Sequence, residues 1–392
     1  MDALLKMLQG EKEAMLALLR RLVEVESPST DKAAVDRFGK LVAETARHFG
    51  AQVRFHPSRT TGNHLRAEFR LAPRVTSGQI LLLGHLDTVW SMGTIQRIPF
   101  RIQAGRAYGP GVFDMKSGIV LGLFALAALR SLRIPIAKKV VLLLNADEEI
   151  GSPSSRPLTE REAWRSDAVL VLEPAHGLKG ALKTARKGTG EFQIRVKGRA
   201  AHAGLEPEKG VNAIVELSHH ILNVEKLTDT RRGITFNPGM ISGGTRANVV
   251  PEEASVIVDV RVLRAEDQAR VERKLRSLRP YDRRAQLEVT GGFNRPPLER
   301  SPAVVALFER ARRLAKPLGM ALRETTVGGG SDGNFTAVLG VPTLDGLGAV
   351  GDGAHAVHEH IVIDELPRRA ALLAHLIAEL SADSGSGGFR KP

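Results

Sequence analysis

Cysteine is absent from the 392 residues. No disulfide can brace the fold and no thiolate can hold an ion, so any metal would sit on histidine and carboxylate ligands. Aromatic residues make up only 4%, while Lys plus Arg exceed Asp plus Glu by 56 to 43, a net charge of +13. That balance first suggests nucleic acid, but the basic residues are scattered, stacking side chains are scarce and no nucleic-acid motif is present. A general field drawing in anionic substrates, or a basic surface without specific purpose, fits better. Long apolar runs are missing too. The most apolar helical stretch, Ile119 to Leu129, falls far below the ~20 residues that span a bilayer. The N-terminus, MDALLKMLQGEKEAMLALLRRLVEVESP, has an acidic second residue and charges throughout. It reads as an amphipathic helix rather than a secretory signal, which predicts a cytoplasmic protein with no membrane segment.

What is present suffices for a sizeable core: 43% of the chain is hydrophobic, and the length suits two or three domains. The chain is organised around QILLLGHLDT, residues 79 to 88. Ile80 to Leu83 reads as a short strand buried on both faces, and polar chemistry begins where it stops, at Gly84, His85, Leu86 and Asp87. In an extended chain His85 and Asp87 project to the same side. The carboxylate can then take the proton of one imidazole nitrogen while the other faces outward, as suits a metal ligand. In open α/β sheets ligands gather beyond the carboxyl ends of strands. Two further strands end in the same way: Val140 to Leu144 runs into Asn145, Ala146, Asp147, Glu148 and Glu149, and Ala168 to Leu172 runs into Glu173 and Pro174.

Around these, a second helix is predicted from the caps at residues 29 to 31 to Gly50, then strands over 51–56 and 65–71. A glycine-punctuated turn, RAYGPGVFDMKSG (106 to 118), leads into a helix over 119–131, and a Pro/Ser/Arg-rich loop is expected at 151 to 162. This is α/β alternation. Near residue 180 the pattern changes. Gly190 to Lys197 and Ala254 to Arg261 alternate apolar with polar residues, as in strands with one wet face, and 210–227 and 265–278 read as amphipathic helices. The inference is an inserted α+β domain over 184–294, with the turn-rich GGFNRPP (291 to 297) returning the chain to the first domain. The first domain would then comprise 1–183 and 295–382. It closes with a helix over 301–318, the loop GGGSDGNF, a short strand near 342–347 and a helix over 364–380. The Gly/Ser-rich tail 383–392 is expected to be disordered.

Histidine and carboxylate without cysteine suit zinc in a hydrolytic site, where the ion lowers the pKa of water and polarises a carbonyl. Adjacent residues in an extended segment point to opposite sides, so Glu148 and Glu149 can divide the work, one binding metal and the other facing water. A second ion about 3.5 to 4 Å away needs a bridging carboxylate, for which Asp114 is the natural candidate. A last imidazole is available in GAHAVHEH, where composition alone leaves His355, His358 and His360 open.

The motifs GHLDTV (84 to 89), YGPGVFDMKSG (108 to 118), NADEEIGS (145 to 152), LEP (172 to 174), GRAAHAG (198 to 204), ANVVPEEA (247 to 254), DVR (259 to 261), GGGSDGN (328 to 334) and GAHAVHE (353 to 359) run in order over nearly the whole chain. Together they resemble the di-zinc peptidases and deacylases: glutamate carboxypeptidase, whose style is nearest, acetylornithine deacetylase, succinyl-diaminopimelate desuccinylase and aminoacylase. The resemblance implies a mixed-sheet α/β catalytic domain of the zinc-exopeptidase kind, with an inserted α+β dimerisation or lid domain, working as a homodimer. It implies two divalent ions, zinc first and cobalt or manganese as alternatives. His85, Asp114 and Glu173 would hold one ion, and Asp114, Glu149 and His355 the other. His355 is preferred because the family's last ligand sits four residues before a Glu, here Glu359. Asp87 would orient His85. Glu148 would be the general base that takes a proton from the metal-bridging water and passes it to the leaving amine. His202 would donate to the developing oxyanion at the active site of the other subunit. Asn248 and Arg261 match positions that hold substrate, although Arg261 could instead pair with Asp259. Arg295 and the Gly329, Gly330, Ser331 loop would hold a substrate carboxylate, for which a guanidinium offers a bidentate fork. Glu rather than Asp at 173 implies a substrate with a free C-terminal carboxylate, such as a peptide. The alternatives are a deacylase of small N-acyl amino acids, a binding protein on the same scaffold and, last, a nucleic-acid binder.

Overall fold

The computed structural model describes residues 2–72 and 78–382; the tail expected to be disordered, 383–392, lies outside them. Two compact units emerge. The first holds residues up to Thr184, Arg300–Thr326 and the chain from Ser331 on; the second holds Ala185–Glu299 with Val327–Gly330. The second unit ends at Glu299 rather than at 294 because Leu298 still exchanges both backbone hydrogen bonds with Arg186.

In the first unit a six-stranded mixed sheet runs in the order Gln52–His56, His64–Phe69, Lys139–Asn145, Gln79–His85, Ala168–Val171, Thr343–Leu344. The strand Gln79–His85 is parallel to both neighbours, with Leu83 opposite Leu143 and Val171, so three strands end side by side with their polar residues. All seven of its residues are buried. Side-chain alternation explains how an unbroken apolar run serves both faces: Ile80 and Leu82 join the core beneath the helices Ser117–Ser131 and Leu366–Ala382, while Leu81 and Leu83 pack with Leu158 and Ala163 on the other side.

The stretch Val112–Ser131, a turn kinked at Asp114 and Met115 followed by the helix Ser117–Ser131, is by length and composition apolar enough to cross a membrane, yet 89% of its most apolar window is buried inside the protein. It lies so close to the sheet that a Cβ at Gly118 would stand 2.2 Å from the Leu172 carbonyl oxygen. Gly118→Ala should therefore cost about 1–3 kcal/mol through forced backbone movement, read as a lowered denaturation midpoint; an unchanged midpoint would mean the helix is free to back away.

Some expectations need correction. The N-terminal segment is two helices, Ala3–Gly10 and Lys12–Val23, broken at Glu11, where Gly10 weakens the helical backbone. The stretch read as a loop contains the helix Arg156–Trp164; its Pro157 sits in the first turn, where a missing N–H costs nothing. Residues 291–295 are strand rather than turn: Gln286–Arg295 pairs with Gly188–Lys197 through a bulge at Phe293/Arg295. Gly291, at φ +89°, crosses so near Glu191 that a Cβ would meet its carbonyl at 2.2 Å.

The second unit is α+β. Its antiparallel sheet runs Thr235–Gly243, Glu253–Val262, Gly188–Lys197, Gln286–Arg295. Phe192, Ile194, Val196, Val256, Val258 and Val260 on the dry face pack with Leu217 and Val224 of the helix Ala213–Glu225 and with Val271 and Leu275 of Ala265–Arg276.

Candidate metal centre

Five segments of the first unit bring ionisable side chains together. His85 ends its strand, and Glu173 follows Ala168–Val171. Glu148 and Glu149 lie in a tight 3-10 turn, Glu148–Ile150, after Lys139–Asn145, not in the extended segment expected. Asp114 occupies the turn before the helix Ser117–Ser131, and His355 the turn between Gly351–Asp352 and His360–Val362.

The distances give these residues a common focus. His85 Nε2 is 3.2 Å from Asp114 Oδ1 and 3.4 Å from Glu173 Oε1. His355 Nε2 is 3.5 Å from Asp114 Oδ2 and 3.3 Å from Glu149 Oε2. Each oxygen of Asp114 thus meets a different imidazole. Glu148 joins His85 and Glu173 in one cluster with potential ligand atoms within 4.8 Å of one another, and His85, Asp114 and Glu149 form another. The glutamates of the 3-10 turn therefore both face the cluster.

Electrostatics point the same way. Burial alone would keep His85 neutral, but Asp114, Asp87 and Glu173 outweigh it and raise its pKa well above the ordinary value. Asp114 and Glu149 push His355 up to about 10. Burial would raise Asp114, yet the two imidazoles hold it well below the usual carboxylate range, whereas burial raises Glu149. The cluster is rich in acid and draws protons onto both histidines.

These residues fit metal ions on three counts. The donors are imidazole nitrogen and carboxylate oxygen only. Tetrahedral bonds of about 2.0–2.1 Å set neighbouring ligand atoms about 3.3 Å apart, which the four N···O distances match. Finally, Glu149 Oε1 is buried with no hydrogen-bond partner, an orphan that an ion would satisfy.

Asp87 meets His85 through both its main chain and its side chain. His85 Nδ1 lies 2.9 Å from the main-chain carbonyl of Asp87 but 3.5 Å from its carboxylate. Because a carbonyl only accepts, the proton belongs on Nδ1 and Nε2 is left for the cluster. The Asp87 carboxylate also accepts the N–H groups of Glu148 and Glu149 and the Ser29 hydroxyl, holding the glutamate turn from behind. Sequence reasoning missed two more buried acids around that turn. Asp147 accepts the Ser154 and Ser155 amides and the Ser154 hydroxyl. Asp332 accepts from Ser152 Oγ and Asn145 Nδ2. Both lie inside quoted motifs, but nothing in a sequence distinguishes an acid facing the cluster from one bracing it.

Of the three histidines left open near the C-terminus, His355 reaches the cluster. His358 is exposed, and His360 is buried against the Tyr108 ring. Ser331 is fully buried, its hydroxyl donating to Asp345 and accepting from the Gly333 amide; it is a joint within its loop rather than an open carboxylate contact. In the second unit Arg261 forms a bidentate pair with Asp259, the alternative left open by the sequence. Arg295 is buried, with Gly330 close against its Cδ. Exposed His202 accepts the Gly204 and Leu205 amides on Nδ1, so the neutral ring carries its proton on Nε2. The neighbouring Ala203 amide donates to the Asn248 carbonyl, which places His202 and Asn248 side by side.

Comparison with known proteins agrees with this geometry. Residues 81–379 match the family described as Peptidase family M20/M25/M40. Carboxypeptidase G2 of Pseudomonas sp. (strain RS-16) is 30% identical over 381 residues, covering 95% of this chain and 90% of that protein. Among solved structures, aminopeptidase PepT from Bacillus cereus ATCC 10987 superposes with a TM-score of 0.76 at 23% identity, over 94% of this chain and 98% of that one. The Bacillus subtilis YXEP protein, described as a dinuclear metal binding peptidase from M20 family, does so with a TM-score of 0.70 at 15% identity, over 95% and 98%. By the family match over most of its length and the 30% identical relative, the chain belongs to peptidase family M20/M25/M40 and is a hydrolytic enzyme.

Proposed function

We propose that this enzyme is a dinuclear metallo-exopeptidase of the carboxypeptidase type, releasing an amino acid with a free α-carboxylate from an amide. The observation that carries the proposal is Asp114, one carboxylate between two histidines, each of which has its own acid, Glu173 or Glu149. His85, Asp114 and Glu173 would hold one divalent ion and Asp114, Glu149 and His355 the other, with zinc preferred and cobalt or manganese able to occupy such sites. Bound ions would supply Lewis acidity toward the scissile carbonyl and a lowered pKa for the attacking water. Glu148 takes a proton from that water and returns it to the leaving amine. His202, with its proton on Nε2, would donate to the developing oxyanion at the active site of the other subunit. Arg295 supplies the charge for the substrate carboxylate, and Asn248 and Gly330 complete the substrate contacts. Support for carboxypeptidase specificity comes from the 30% identical carboxypeptidase G2 and from Glu at 173.

The proposal includes a homodimer formed through the second unit. Its edge strand Thr235–Gly243 leaves Met240 and Ile241 exposed, and the helix Ala213–Glu225 leaves Val215 and Leu222 exposed; an open strand edge beside apolar side chains invites pairing.

Incubation with a chelator should abolish hydrolysis of peptidyl and N-acyl glutamates, and zinc or cobalt should restore it. Activity indifferent to metal removal would reject the dinuclear reading. The same panel, varied in acyl group and amino acid, separates a carboxypeptidase from a deacylase of small N-acyl amino acids.

A further inference from the structure

Glu359 entered the sequence reading only as a marker four residues after His355. Its side chain is buried, with the residue 2% exposed, and it accepts four hydrogen bonds. Oε1 takes the amides of Phe113 at 2.8 Å and Asp114 at 3.0 Å. Oε2 takes the Gly111 amide and the Trp90 indole N–H, both at 2.9 Å. The donors come from two segments remote from Glu359 in sequence. Trp90 continues the loop that begins with His85 and Asp87; Gly111, Phe113 and Asp114 form the turn that presents the shared carboxylate. Glu359 itself closes the His355 turn, where its own amide bonds the Ala356 carbonyl at 2.8 Å. One side chain therefore ties together three loops that carry His85, Asp114 and His355.

His355 needs such a tie. It is a non-glycine residue at φ +64°, a left-handed conformation that the surrounding structure must impose, and its side chain is 49% exposed. Packing does not hold it in place. The link through Glu359 fixes where the turn stands relative to Asp114.

Resting on the dinuclear reading above, we propose that Glu359 is a positioning residue for the ion shared by Asp114, Glu149 and His355, setting the separation of Asp114 from His355 by gathering the amides of the Asp114 turn. A carboxylate is needed for this. Both of its oxygens accept from two N–H groups, whereas a glutamine would turn an NH2 against two of those donors. Hydrogen bonds behind a ligand typically contribute about 10- to 100-fold to metal affinity.

The test is Glu359→Gln in the full chain, with zinc content measured by elemental analysis after dialysis against buffered free zinc, and folding followed by circular dichroism. The expected result is a folded protein that binds one zinc as the wild type does and the other about 10- to 100-fold more weakly. Its kcat should fall, and raising free zinc should restore it. A general loss of stability would not weaken one ion selectively in protein that remains folded. Two zinc ions held with wild-type affinity would overturn the proposal. Should the variant fail to fold, hydrogen exchange on the metal-free wild type decides: the amides of Gly111, Phe113 and Asp114 should stay protected if Glu359 holds them, and free exchange there would overturn it. A wild-type protein that binds no zinc would reject the dinuclear reading itself, a different failure from that of Glu359.

Discussion

Asp114→Ala should leave the enzyme unable to retain either ion and reduce hydrolysis to background. The reason lies in the two faces of one side chain: Oδ1 stands 3.2 Å from His85 and Oδ2 stands 3.5 Å from His355. Glu173 pairs with His85 and Glu149 with His355, so the loss of either should impair one position more than the other. Loss of a hydrogen bond behind a ligand already costs about 10- to 100-fold in affinity, and loss of a ligand common to two ions should exceed that at both. Zinc titration of Asp114→Ala beside Glu173→Ala and Glu149→Ala checks this. If Asp114→Ala still binds two ions tightly, the shared-ligand geometry is wrong.

Glu148→Gln should do the opposite: keep the metal and lose the rate. Glu148 stands with His85 and Glu173 in the cluster, while its main-chain amide is held by Asp87. The amide variant keeps shape and anchorage but can no longer take up a proton, and proton transfer by a placed side chain contributes about 100- to 10,000-fold. Zinc content should therefore match the wild type while kcat drops by that factor, with KM little changed. Near-normal turnover would assign the base to another residue.

Much of this was legible because the chemistry sits at strand ends. The runs at 80–83, 140–144 and 168–172 are apolar enough to require burial on both faces, and a polar residue directly after such a run has few places to go but the rim of the sheet. The bracing acids were not legible. Asp147 and Asp332 share residue type and neighbourhood with the candidate ligands, and only the loop path decides whether a carboxylate meets an imidazole or a row of amides. The helix Arg156–Trp164 was hidden by proline, which ends a helix in mid-course but opens one in the first turn. The strand Gln286–Arg295 was hidden by paired glycines that mark a close backbone crossing rather than a turn. Ser331 looked available because its motif is glycine-rich; its hydroxyl is spent on Asp345.

The order in which the ligands occur along the polypeptide has a consequence for biogenesis. His85, Asp114, Glu149 and Glu173 all precede the second unit, Ala185–Glu299, whereas His355 follows it. A nascent chain emerging from the ribosome therefore displays four of the five candidate ligands, bunched acids included, through the synthesis of an entire intervening unit. It lacks the imidazole proposed to complete the Asp114 and Glu149 pair until the chain beyond that unit has been made. If His355 completes the second ion site, chains that stop before it should lack hydrolytic activity.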